Sequence, residues 1–104
     1  MSTLPLSFRV KNAVIEKHQL EGTDPSNRYF NRVVLVKRVD RGYSAKIMYE
    51  SLEVDTGTHP TIAGAIQEIV SKMLDLGFLK MRTRVNFKGL KYLAEKETWI
   101  DYPD

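Results

Sequence analysis

Between Pro60 and Gly77 the chain carries Ile62, Ala65, Ile66, Ile69, Val70, Met73 and Leu74 at spacings of three and four residues. That stripe marks one face of an amphipathic helix, which must bury it against another layer. The other strongly patterned stretches alternate at two, the period of half-buried strands. A helix with strands on both sides of it in sequence reduces the choice to an α+β fold. The expected architecture is a single antiparallel or mixed sheet of 4–5 strands. One main helix, about 60–76, packs across one face of that sheet, and a short C-terminal helix or tail follows.

The helix boundaries come from local chemistry. Thr58 or His59 can cap the start, and Pro60 suits the first turn, where its missing N–H costs nothing. Glu68 and Lys72 sit four apart in the favourable order. Gly77 is a natural stop. Gly64 lies inside the helix at a cost in propensity, which points to close backbone approach to the sheet.

Leu4, Leu6, Phe8 and Val10 alternate with Pro5, Ser7, Arg9 and Lys11, so a strand is expected there, and Ala13-Val14-Ile15 either continues it or begins a second. Glu21–Asn27 is a cluster of turn formers and reads as a loop. Tyr29–Val39 is rich in β-branched and aromatic residues. Asp40-Arg41-Gly42 then supplies a tight turn, with Gly42 free to take positive φ. Tyr43, Ala45, Ile47 and Tyr49 alternate with Ser44, Lys46, Met48 and Glu50, completing a hairpin. Leu52-Glu53-Val54 is a candidate short strand. Leu79, Met81, Thr83, Val85 and Phe87 alternate with Lys80, Arg82, Arg84, Asn86 and Lys88, giving one apolar and one basic face. Leu90–Glu97 reads as a short helix or irregular segment. Trp99, Ile100 and Tyr102 follow in an acidic tail, and that aromatic content predicts packing on the sheet or on a second subunit.

The 104 residues fit one domain, 1–104, and 42% hydrophobic content supports a core of its own. With no cysteine, disulfides, thiolate metal sites and cysteine nucleophiles are excluded. No run approaches a membrane span, and Met1–Arg9 lacks the basic start and apolar core of a signal peptide, so a cytoplasmic location is expected.

The net charge of +3 is small, but its distribution is uneven. Residues 80–91 hold Lys80, Arg82, Arg84, Lys88 and Lys91 with no acid; residues 28–46 hold six cations against Asp40. Side chains two apart on a strand are ~6.6–6.8 Å apart, a spacing that tracks a phosphate backbone. Lys80, Arg82, Arg84 and Lys88, with Arg32, are therefore the candidate nucleic-acid contacts. A solvated outer face that protects an edge strand explains the same pattern.

Catalytic chemistry is poorly served. His18 and His59 have no metal-ligand spacing and suit structural or surface roles. Glu50, Glu53 and Asp55 alternate with Leu52 and Val54 as on a half-exposed strand. Phosphate-loop and nucleophile-elbow motifs are missing. No cofactor and no metal are expected.

Asp40-Arg41-Gly42-Tyr43-Ser44-Ala45, followed by Thr61-Ile62-Ala63-Gly64-Ala65-Ile66, resembles the N-terminal domain of HicB-type antitoxins over residues 30–78. The resemblance implies a partial RNase-H-like β-β-β-α fold without nuclease chemistry, which acts by binding a partner protein and oligomerising. The leading expectation is a non-enzymatic binding module of bacterial type, self-associating or binding a protein, with Trp99, Ile100 and Tyr102 as candidate interface residues. The alternative is a nucleic-acid-binding domain that uses the basic strand face, residues 80–88. An enzyme built on Glu50, Glu53 and Asp55 around a metal ranks below both.

Overall fold

In the computed structural model, which describes residues 13–104, the chain opens with four strands in antiparallel succession. These are β1 (Val14–Thr23), β2 (Tyr29–Val39), β3 (Gly42–Tyr49) and β4 (Leu52–Asp55). Helix α1 (Ile62–Asp75) then crosses the sheet, and β5 (Leu79–Lys88) pairs with β1 on the side away from β2. Two short strands, β6 (Lys91–Tyr92) and β7 (Ile100–Asp101), pair with different parts of β5. The order along the sheet is β4-β3-β2-β1-β5-β6, with β7 beside β5. The strand expected at Leu4–Val10 lies outside the described residues.

The α+β class holds, with corrections. Among the described residues the sheet has seven strands rather than four or five. Of the two alternatives for segment 90–97, the irregular one holds: it turns back so that Lys91 and Tyr92 pair with Lys88 and Phe87. Gly89 at φ 60 supplies the left-handed residue this reversal needs. Ile100–Asp101 then returns along β5, which anchors the tail on the sheet.

Strand alternation sorts the residues onto two faces. Phe30, Val34 and Val36 of β2, Ala45, Ile47 and Tyr49 of β3, Val54 of β4 and Leu20 of β1 turn toward the helix. There they bury against Ala65, Ile66, Ile69, Val70 and Met73. Phe30, Tyr49 and Phe78 meet edge to face, with centroids 5.1–5.5 Å apart, the arrangement favoured by aromatic quadrupoles.

The helix cap differs from the expectation. Thr61, not Thr58 or His59, is the N-cap, and its hydroxyl accepts the Gly64 N–H at 3.0 Å. His59 is occupied elsewhere, exchanging two 2.8 Å backbone hydrogen bonds with Tyr43. A side chain at Gly64 would meet His59 and Thr61 rather than the sheet, so this glycine makes room for the cap. At the other end Gly77 takes φ 100, and the Gly77 and Phe78 N–H groups close onto Leu74 and Met73, a Schellman ending. In the hairpin it is Arg41 that has positive φ, at 68. Gly42 serves close approach instead: a Cβ there would lie 2.1 Å from the His59 carbonyl oxygen.

No helix among the described residues is long and apolar enough to cross a membrane.

Candidate binding surfaces

Helix α1 packs over β2, β3 and β4. That leaves two places for function: the opposite face of the sheet, and the strip of the helix-side face formed by β1 and β5.

On the helix-free face Val33 and Met48 are 47% and 50% exposed, at adjoining positions on β2 and β3, with Leu35 next along β2. Lys17 and Lys46 pair with Leu35 from either side, Gln19 pairs with Val33, and Glu53 pairs with Met48. The result is a small apolar centre in a ring carrying both signs of charge. Lys46 and Glu53 approach to 3.7 Å within that ring.

Arg82 and Arg84 project from the same face, and neither is free. Arg82 Nε donates to Glu21 Oε2 at 2.6 Å. Arg84 Nε donates to Gln19 Oε1 at 2.8 Å, and its Nη2 lies 3.6 Å from Glu95 Oε1. Both guanidinium groups sit over the Trp99 ring, 4.4 and 4.3 Å from its centroid, in cation–π contact.

The other candidate cations are elsewhere. Arg32 is on the helix side, paired with Leu20 and stacked 4.8 Å over the Tyr49 ring. Lys88 pairs with Glu16 and so belongs to the helix side as well. Lys80 adopts φ 55 at an irregularity in β5, where its N–H donates to Asp104 Oδ1 at 2.6 Å. The five candidate nucleic-acid contacts are thus divided between two faces and a strand end. The three tail residues divide too: Trp99 lies on the helix-free face, whereas Ile100 and Tyr102 are on the helix side.

The helix side of β1 and β5 holds a feature that periodicity did not reveal. Beside the start of α1 is a cleft of about 250 Å³. Ile62, Ile66 and Ile100 form its apolar walls, and His18, Gln67, Thr83 and Tyr102 supply polar atoms. His18 Nε2 is 2.8 Å from Glu16 Oε1. Burial holds the imidazole pKa below its ordinary value, aided by Lys88, although Glu16 opposes the shift. Thr83 is buried, and its hydroxyl lies 2.8 Å from the Tyr102 hydroxyl. Burial also pushes the Tyr102 phenol up.

Two further polar clusters are structural. Asp24 is buried at 3% exposure, yet its carboxylate is saturated. It accepts the Tyr49 hydroxyl at 2.6 Å, the Ser26 and Arg28 N–H groups at 2.9 Å, and the Arg28 guanidinium at 3.0 Å. The Tyr49 bond first, then the Arg28 backbone, bring its pKa down to about 2. Residues 24–28 are thereby tied to β3. His59 Nε2 lies 2.5 Å from Glu68 Oε1, and Lys72 Nζ lies 3.0 Å from Glu68 Oε2. Lys72 also donates to the Asp55 carbonyl at 2.8 Å, covering part of the β4 edge with a charge. Glu68 is lowered by the His59 bond and then by Lys72. His59 is therefore part of the helix docking. Glu50, Glu53 and Asp55 are exposed, and no group of His, Asp and Glu suited to a metal ion occurs among the described residues.

No protein-family model matches the chain, and neither does any curated protein or solved structure.

Proposed function

We propose that this chain is a non-enzymatic binding module that docks a second copy of itself through the helix-free face of its sheet. The observation that carries this reading is the pair Val33 and Met48, half exposed side by side at the centre of that face. Apolar side chains grouped on one sheet face are the usual mark of an interaction surface. Lys17, Lys46, Glu53 and Glu21 supply both charge signs around the centre, which suits a two-fold contact in which one patch meets its own copy. Five strands spaced ~4.8 Å apart and about eight residues long present on the order of 500 Å² of projected area. Accessible area exceeds projected area, so the face approaches the ~800 Å² that each partner contributes to a standard interface. The resemblance of residues 30–78 to the HicB-type N-terminal domain points the same way, since that family oligomerises. A cytoplasmic, bacterial setting belongs to the same proposal.

Sedimentation velocity of the full chain up to millimolar concentration tests this. A concentration-dependent dimer is expected, and Val33→Lys with Met48→Lys should return it to monomer with an unchanged circular dichroism spectrum. A wild-type chain that stays monomeric throughout would refute the proposal.

A further inference from the structure

We propose that the cleft between the start of α1 and the β1–β5 strip binds a small neutral alcohol or phenol, with its apolar body against Ile62, Ile66 and Ile100 and its hydroxyl between His18 and the Thr83–Tyr102 pair.

The walls set the body of the ligand. Ile66 is buried and Ile62 half-buried, whereas Ile100 is 58% exposed on the far side of the cleft. A volume of about 250 Å³ holds several waters. Those along the Ile62, Ile66 and Ile100 side chains lack hydrogen-bond partners on the protein. Their release favours a compact aromatic or branched aliphatic group.

The polar end sets the functional group. A carboxylate only accepts, so the Glu16 contact assigns the imidazole proton to Nε2 and leaves the Nδ1 lone pair open. Among the described residues no donor reaches Nδ1. Thr83 and Tyr102 share one hydrogen bond, which uses one of their two O–H groups, and the other has no acceptor among the described residues. Gln67 also lines the cleft with an exposed amide, and away from it the inner end, at His18, Thr83 and Tyr102, offers one acceptor and one donor. A hydroxyl group satisfies both.

Their spacing is suitable as well. His18 pairs with Val85, and Leu20 pairs with Thr83, which makes His18 and Thr83 diagonal neighbours on one face, ~7–8 Å apart at the backbone. One oxygen can lie between two side chains that converge from that distance. Glu16 and Lys88 are cross-strand partners whose charges offset each other, so the site favours no ion. The desolvated imidazole is held neutral by burial, consistent with an acceptor role. This site is independent of the self-association face, which lies on the other side of the sheet.

p-Cresol, toluene and p-toluate titrated into the full chain, with the isoleucine methyls followed by NMR, test the assignment. p-Cresol should give saturable shifts at Ile62, Ile66 and Ile100 with a millimolar dissociation constant, as expected for a fragment of its size. Toluene should bind roughly 30-fold more weakly, the fold-change of two net hydrogen bonds, and p-toluate should not bind. His18→Phe should weaken p-cresol roughly fivefold, leaving it still tighter than toluene because the Thr83–Tyr102 donor remains. Ala63→Trp, at an exposed helix position that leaves the core intact, should block both. Absent saturation, equal binding of p-cresol and toluene to the wild type, or undiminished binding to Ala63→Trp would each overturn the proposal.

Discussion

Gly42→Ala is expected to be far more damaging than a turn glycine would suggest. A Cβ at this position would lie 2.1 Å from the His59 carbonyl oxygen and 2.9 Å from its carbon, both backbone atoms. Backbone cannot swing aside as a long side chain can, so strand β3 and residue 59 must separate by about 1 Å to restore ordinary contact. That movement breaks the two 2.8 Å hydrogen bonds between Tyr43 and His59, a loss of ~2 kcal/mol at about 1 kcal/mol each. Strain from the inserted methyl adds ~1–3 kcal/mol, giving a total of about 3–5 kcal/mol. The consequences reach the helix, because His59 also holds Glu68 and adjoins the cap at Thr61. At ~4–8 °C per kcal/mol for a domain of this size, the melting temperature should fall by about 12 °C or more. Urea unfolding followed by far-UV circular dichroism measures the free energy directly. Gly57→Ala is the internal control: its Cβ would meet nothing within 4 Å and its φ is not positive, so the change should be neutral or stabilising by ~0.4–1 kcal/mol. A Gly42→Ala chain within ~0.5 kcal/mol of wild type would refute the close-approach argument, as would an equal loss in both variants.

Acid should weaken the fold through Asp24. Its carboxyl titrates near 2 when folded and near ~3.9 when unfolded, so the stabilisation is complete above about pH 4 and is lost as pH falls toward 2. Asp24→Asn should be less stable at neutral pH and show a flatter acid limb in urea midpoints; parallel limbs would contradict this. Nucleic-acid binding should be weak and only mildly salt-dependent, because Arg82 and Arg84 are engaged by Glu21, Gln19, Glu95 and Trp99. Titration of single-stranded DNA at several salt concentrations should give a slope no steeper than about −1.5; a slope near −3.5, five phosphates at ~0.7 each, would restore the single basic face.

The parts of the fold legible in the sequence are those with a sustained apolar period. Helix α1, strands β2 to β4 and strand β5 fall where alternation or the stripe placed them. Strand β1 was hidden beyond Ile15, although it is central to the sheet. Glu16, Lys17, His18, Gln19 and Glu21 surround a single buried residue, Leu20. The helix reaches this strip fully only at Leu20, so the inward positions before it need not be apolar, and Glu16 and His18 occupy them. The same substitution of polar for apolar residues that erased the strand signal furnished the cleft. Strands β6 and β7 are two residues each and too short to show any period.

Charge was legible only locally. Five cations between residues 80 and 91 with no acid among them read as a basic surface. Antiparallel pairing then brings Glu21 from β1 beside Arg82, and the reversal at Gly89 brings Glu95 back beside Arg84. Neither acid lies between residues 80 and 91. The irregularity between Lys17 and His18 divides the strand further, since it turns Lys88 to the side of Glu16 while Arg84 stays on the side of Gln19. A β-bulge changes which face a residue occupies without leaving any mark in the alternation of charge. The sequence of β5 therefore showed how many cations it carries, and only its pairing with β1 determines which of them a ligand could meet together.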